Sequence, residues 1–296
     1  MFTENRATGT MRYRDLDHFL KKGRDALTKG PIALILVEDL VEVDTTIRHH
    51  QLQGFREILV FAPDALDLPS DVEKAIRRIP FDTGREGATE RAVNAIIAAA
   101  PGLWMYYCYN AEFLFFPFSE NRTVGEMLAF HTEERRDAML TYVVDLYATD
   151  LTSFPNAVSL EYAYFDRLGY YSLKREGPDG PKDRQLDFFG GLRWRFEEHV
   201  PWTRRRIDRI GLFRAKPGLK LRADHTFNDE EYNTYDCGWH NNMTATICSF
   251  RTAKALRSNP GSKYNVTNLE WRSSTRFEWH SQQLMDHGLM EPGQWF

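Results

Sequence analysis

The sequence predicts an α/β fold on a mostly parallel sheet, and two observations lead there. Short continuous apolar runs, each bounded by turn residues, recur along the first half of the chain, as strands buried on both faces require. Helical segments separate them at the spacing of β-α-β units. Length and composition agree. A chain of 296 residues, 42% hydrophobic and 27% charged, can bury a core without disulfide support. The expected organisation is an arm and helix over 1–30, the α/β domain over 31–255, and a C-terminal extension over 256–296 packed on the domain.

The arm ends in a helix with Leu16, Phe19 and Leu20 on one face, broken by Gly30-Pro31. Residues 32–37, all apolar, form the first strand, and Glu38-Asp39 ends it. A helix over 43–53 follows, with Gly54 at the C-cap position. The strand 57–61 stops at Ala62-Pro63-Asp64. Next come a short helix over 71–78, an Ala-rich helix over 88–100, a third strand over 103–108 and an apolar stretch over 113–116. Thr123, with Glu126 three residues on, makes a capping box that opens a helix over 123–136. A strand over 140–144 leads into Asp145. Beyond it the pattern loosens. Residues 175–184, with Gly177, Pro178, Gly180 and Pro181, read as a mobile loop. Strands are expected over 207–213 and 219–221, and a helix over 244–256.

Several function classes drop out. The net charge of −4 argues against an electrostatic nucleic-acid binder, although 193–222 holds ten Lys/Arg against three Asp/Glu. RNA binding through that half ranks last, since no RRM or KH signature accompanies it. Three cysteines, Cys108, Cys237 and Cys248, are too few for a disulfide framework or a four-ligand zinc site. No apolar run approaches the ~18 residues of a membrane helix, and the N-terminal residues lack a signal-peptide core. A cytoplasmic protein is expected. No Gly-x-Ser-x-Gly, His-Glu-x-x-His, P-loop or Gly-x-Gly-x-x-Gly motif occurs.

In open α/β sheets, ligands bind outside the carboxyl ends of the strands. Glu38-Asp39, Pro63-Asp64, Asn110-Ala111-Glu112 and Asp145 occupy those ends. Acids gathered there would repel one another unless a cation or a hydroxyl-rich ligand sits among them. Arg193, Arg195, Arg204, Arg205, Arg206 and Arg209 offer planar donors for phosphate oxygens; the alternative is a solvated face paired with Glu197, Glu198 and Asp208. His225, beside Asp224, could ligate a metal, bond a phosphate or be a satisfied structural group. His49-His50 at a helix C-terminus reads as structural. The stretch 232–242 mixes aromatics and amides and suits either a sugar acceptor or a packed loop. Cys237 and His240 lack a second ligand pair for zinc.

These residues resemble the family-2-type glycosyltransferases. The carriers are Glu38-Asp39, then His49-His50 and Gly54, then the strand over 58–61. Residues 104–114, with Tyr109-Asn110-Ala111-Glu112-Phe113, resemble the family's Trp-led strand running into an Asp-x-Asp-Glu-Phe motif. Leu212-Phe213-Arg214, Pro217 and His225 resemble its Lys-Ser-Ile-x-Arg-Pro stretch and following His. The likeness covers roughly 32–230. It implies a GT-A-like, Rossmann-type domain that transfers a sugar from a nucleotide-sugar donor to a glycan, lipid or small-molecule acceptor. It also implies Mg²⁺ or Mn²⁺ on the donor diphosphate, held by Asn110, Glu112 and His225. The acidic motif is degenerate here: one carboxylate and one amide remain, so arginines could serve in place of the metal. Donor contacts are expected from Glu38, Asp39, Asp64, Asn110, Glu112, Arg193 and Arg195. A general base is expected among Glu197, Glu198 and Asp145. The alternative is a non-catalytic descendant that binds a nucleotide or glycan.

Overall fold

The computed structural model describes residues 11–65, 67–235 and 242–295. In chain order the main sheet takes β1 (Met11–Arg12), β2 (Ile32–Leu36), β3 (Glu57–Ala62), β4 (Arg77–Pro80), β5 (Trp104–Tyr109), β6 (Glu112–Phe115) and β7 (Ala138–Asp145). Three strands outside it follow, β8 (Tyr164–Asp166), β9 (Tyr171–Gly177) and β10 (Gly180–Phe189). The main sheet then gains β11 (Asp208–Arg214) and β12 (Ala245–Ser249), and β13 (Ser274–Arg276) pairs with β8. The helices are α1 (Leu16–Lys22), α2 (Val43–Leu52), α3 (Ser70–Lys74), α4 (Ala88–Ala99), α5 (Val124–Glu133), α6 (Gly191–Arg195), α7 (Arg251–Ser258) and α8 (Ser281–Asp286).

The strand order is β1-β4-β3-β2-β5-β11-β7-β12-β6. Strands β11 and β6 run against the other seven. The sheet is therefore mostly parallel and mixed, flanked by helices on both faces. Alternation along β2 shows why. Leu34 and Leu36 pack in one layer with Phe19 of α1 and Ala92, Val93 and Ile96 of α4. Ala33 and Ile35 pack in the other with Val43 and Ile47 of α2, Val72 of α3 and Met127 of α5. A strand with both faces covered needs apolar side chains at every position, which is what 32–36 supplies. The capping box of α5 is formed: the Thr123 hydroxyl accepts from the Glu126 N–H, and the Glu126 carboxylate accepts from the Thr123 N–H at 2.7 Å. The C-terminal residues pack onto β6 through Phe113–Trp279 and Phe115–Phe277 edge-to-face contacts.

Five expectations are corrected. The arm contributes an edge strand, β1, parallel to β4. The helix expected over 71–78 ends at Lys74, and Arg77 and Arg78 enter strand β4. Both arginines are buried; Arg77 pairs with Glu57 and Asp25, while Arg78 pairs with Glu73, so charge masked a strand. The loop expected over 175–184 is a β-hairpin, β9–β10, whose turn carries the Gly-Pro-Asp-Gly signature. The helix expected over 244–256 divides into the fully buried strand β12 and then α7. Strand β11 is present as read, whereas 219–221 makes only a single bridge, Leu221 to Phe227.

Three histidines lie within the packed layers. His50 Nδ1 meets the Thr46 carbonyl at 2.7 Å, His49 Nε2 the Leu114 carbonyl at 2.6 Å, and His131 Nε2 the Ala138 carbonyl at 2.9 Å. Burial lowers their pKa values, to about 3 for His50 and about 4 for His49 and His131. Below about pH 6.5 the unfolded chain takes up protons that the folded chain refuses, so stability is full above that pH and falls as the pH drops toward 4. Urea unfolding at pH 7 and pH 5 will show a loss of about 2 kcal/mol per histidine. Burial lowers a fourth imidazole, His225, in the same way, so His50→Gln will flatten the dependence by about a quarter, and a wild-type profile flat over this range would contradict the assignment. A second expectation concerns the layer: Leu34→Ala will cost about 2–5 kcal/mol in the same assay.

Candidate functional site

From β2 the chain winds outward to β3 and β4, then returns to place β5 on the other side of β2. Strands β2 and β5 thus flank a topological switch point, the place at the carboxyl ends of the strands where open α/β sheets bind their ligands. Asn110, directly after β5 and fully buried, fastens its two sides. Its Oδ1 accepts from the Glu38 N–H at 2.8 Å; its Nδ2 donates to Asp39 Oδ1 at 2.6 Å and to the Val41 carbonyl at 2.8 Å. Asp39 also receives Lys254 Nζ at 2.8 Å. Burial alone would raise the Asp39 carboxyl, but Lys254, the Val41 N–H and Asn110 together hold it below its usual range. Glu38 takes a two-pronged hydrogen bond from Arg251, both contacts 2.6 Å. The Arg251 guanidinium in turn lies 3.7 Å from the Tyr109 ring centre.

Behind this rim is a buried ion pair. Glu112 receives Arg209 through two bonds, 2.7 and 3.1 Å, plus the Tyr109 N–H at 2.9 Å and the Ser249 hydroxyl at 3.1 Å. Burial pushes its carboxyl up, yet Arg209, Arg251 and the N–H bond outweigh that and bring it to about 2. Arg209 stands at the start of β11. That strand is antiparallel, so its beginning lies at the same sheet edge as the ends of its neighbours. Arg193, from α6, approaches Asp145 Oδ1 at 3.5 Å and bonds the Thr252 hydroxyl and the Arg206 carbonyl. Asp145, at the end of β7, is buried; desolvation raises its pKa against the pull of Arg193 and Thr252. His225 stacks on Tyr107 and shares a 2.9 Å hydrogen bond with its hydroxyl. Burial lowers its pKa, and Arg209, Arg251, Arg193 and Arg206 lower it further. Its imidazole is neutral, at a point where arginines dominate the local field.

The structure therefore brings together Glu38, Asp39, Asn110, Glu112, Asp145, Arg193 and His225. Four other residues named from sequence make their contacts elsewhere. Asp64 is exposed and pairs with Arg12 beside β1. Arg195 forks onto Asp166 and bonds the Leu269 carbonyl. Glu197 pairs with Arg205, and Glu198 is exposed near His199. Cys237, His240 and most of the aromatic-amide stretch lie outside the described residues. Sequence reasoning missed Arg251 and Lys254, because 244–256 read as one helix. Basic residues directly after an apolar run at the sheet's carboxyl edge were the available signal.

The donors expected to hold a divalent cation are already engaged. Both Glu112 oxygens face Arg209, the Asn110 oxygen takes the Glu38 N–H, and His225 Nδ1 is on Tyr107. A cation among them would also stand against three guanidiniums. As arranged, this set does not suit Mg²⁺ or Mn²⁺. Among the described residues, Arg209 Nε and Asp145 Oδ1 are both buried with no hydrogen-bond partner, so one donor and one acceptor are left for a ligand that can use both.

Removing one partner of the buried pair will be costly. Arg209→Met will destabilise the fold by about 3–5 kcal/mol, and adding Glu112→Leu will recover most of the loss. Thermal or urea unfolding of the two variants checks this; an Arg209→Met protein as stable as the parent would contradict it. By sequence, the chain matches no protein-family model and no curated protein significantly, so the chemistry of this crevice is the basis for a functional assignment.

Proposed function

We propose that the protein is a glycosyltransferase with a GT-A-like domain that binds a nucleotide-sugar donor in the crevice, with arginines serving the diphosphate. The observation that carries this reading is the convergence of Arg193, Arg209 and Arg251 around His225 at the switch point between β2 and β5. A departing diphosphate gains negative charge. Preorganised guanidiniums in a partly desolvated crevice stabilise that charge more in the transition state than in the ground state. Asp39, held at the crevice mouth with its side chain 44% exposed, accepts hydrogen bonds from the ribose or base. Asp145, whose raised pKa suits proton uptake, is the general base. In a direct displacement the acceptor oxygen bonds to the anomeric carbon as the bond from that carbon to the phosphate oxygen breaks. The acceptor proton passes to Asp145, and the nucleoside diphosphate leaves with the electron pair. The acceptor is a glycan, lipid or small molecule.

One observation favours the second reading, a non-catalytic nucleotide- or glycan-binding protein: the sole carboxylate of the degenerate acidic motif is closed onto Arg209. Calorimetry with UDP- and GDP-sugars, with and without Mn²⁺, together with turnover over an acceptor panel, separates the cases. Expected are binding unaffected by Mn²⁺, binding weakened at least about tenfold in Arg251→Ala, as for loss of a charge-assisted bond, and Asp145→Asn losing turnover while keeping donor affinity. Binding that requires Mn²⁺ would overturn the arginine assignment. Binding without turnover would favour the second reading. Absence of response to any nucleotide sugar, with salt-sensitive RNA binding instead, would overturn both.

A further inference from the structure

We infer that Arg206 is the positioning residue of the site. It holds Arg193 and the turn that carries His225, and it ties both to the β9–β10 hairpin, so the site is complete only while the hairpin is seated. The inference rests on the arginine reading of the site, though not on the identity of the ligand. Arg206 offers its guanidinium to phosphates on sequence grounds; in the structure that group is engaged by carboxylates instead. Its side chain is 19% exposed and reaches three elements. It bonds Asp208 Oδ2 of β11 at 2.9 Å and stands 3.4 Å from Asp187 Oδ1 of β10. It also bonds the Asp224 carbonyl at 2.9 Å, with the Asp224 carboxylate 3.6 Å away. Its own carbonyl accepts from Arg193 at 2.6 Å, and its backbone bridges to Phe189 at the end of β10.

The Asp224 contact acts on the residue that follows. The carbonyl that Arg206 grips belongs to the peptide bond leading into His225. His225 has φ +63°, in the left-handed region, which a residue with a side chain keeps only where its surroundings hold it. The turn itself is closed by the His225 N–H on the Arg222 carbonyl at 3.1 Å and by the Thr226 N–H on Asp224 Oδ1 at 3.1 Å. Arg206 joins that turn to β11 and the hairpin. Thus Arg193 is set by the backbone of Arg206, and the His225 turn by its side chain.

The hairpin is seated through the same charges. Strands β9 and β10 form a two-stranded sheet of their own. Arg175 of β9 bonds Asp187 Oδ1 and Asp208 Oδ2, each at 2.7 Å, and the Phe188 N–H donates to Asp208 Oδ1 at 2.8 Å. Arg175 and Arg206 therefore share two carboxylates, one on the hairpin and one on β11. Arg175 and Asp208 are buried. Removing one charge from such a set leaves its partners uncompensated, so a change at Asp187 is felt at Arg206 and not in the hairpin alone.

Hydrogen exchange and ¹⁵N-histidine spectra of the full chain test this, with Asp187→Asn and Arg206→Met as variants. Exchange over 171–189 and over 222–226 will quicken together, by about tenfold or more, while β2 and β3 stay unchanged. The His225 imidazole resonance, assigned with His225→Gln, will shift in both variants. Affinity for UDP or GDP, whichever the parent binds, will fall about tenfold in Asp187→Asn. Should Arg206→Met fail to fold, Asp187→Asn decides. Exchange that quickens in the hairpin alone, with the His225 resonance unmoved, would overturn the proposal. So would exchange that quickens throughout β2 and β3, the mark of a general loss of stability, or an unchanged affinity for a nucleotide the parent binds. A parent that binds neither nucleotide would overturn the glycosyltransferase reading, and the exchange and imidazole signals would then decide this inference by themselves.

Discussion

The crevice depends on one buried ion pair, Glu112 with Arg209. It joins the start of β6 to the beginning of β11, and through the Ser249 hydroxyl it reaches the end of β12. Three chain segments far apart in sequence are fixed against one another by a single carboxylate. Such a pair costs desolvation energy and is weak evidence for stability by itself. Its value here is positional. Arg209 is held over Tyr107 and Tyr109, and its charge is set beside His225, Arg193 and Arg251.

Burial lowers the pKa of Arg193 against the pull of Asp145, and repulsion from Arg209 and Arg251 adds a smaller push in the same direction as burial. A cluster of like charges persists only if each member is anchored. Arg209 has Glu112, Arg251 has Glu38, and Arg193 has Asp145 and two oxygen acceptors. An anion entering this place relieves repulsion that the fold already tolerates. That is the physical case for an anionic ligand, and a diphosphate matches both the charge and the planar donors.

Much of the fold was legible because β2, β3, β5 and β7 are buried on both faces and wrote that into continuous apolar runs. The strands that escaped had mixed chemistry: β4 opens on two buried arginines, and β12 includes Thr246 and Ser249, which bond the Leu289 carbonyl and Glu112. In the site, the strand-end rule found Asp39, Asn110 and Asp145 from sequence. It could not say that Asn110 is a fastening between strand ends 71 residues apart, because that role exists only after the sheet has formed. Arg251 and Lys254 were hidden by the misread helix. Asp64 satisfied the same rule, yet Arg12 of the arm draws it to the outer edge of the sheet.

The central claim is that guanidiniums, with no divalent cation, receive a diphosphate in this crevice. The most direct test compares the affinities of uridine, UMP and UDP, and of guanosine, GMP and GDP, by calorimetry in the presence of EDTA. The account predicts that in at least one series affinity climbs from nucleoside to diphosphate by about tenfold or more. Equal affinities across both series in EDTA, with a diphosphate preference that returns only on adding Mn²⁺, would contradict it.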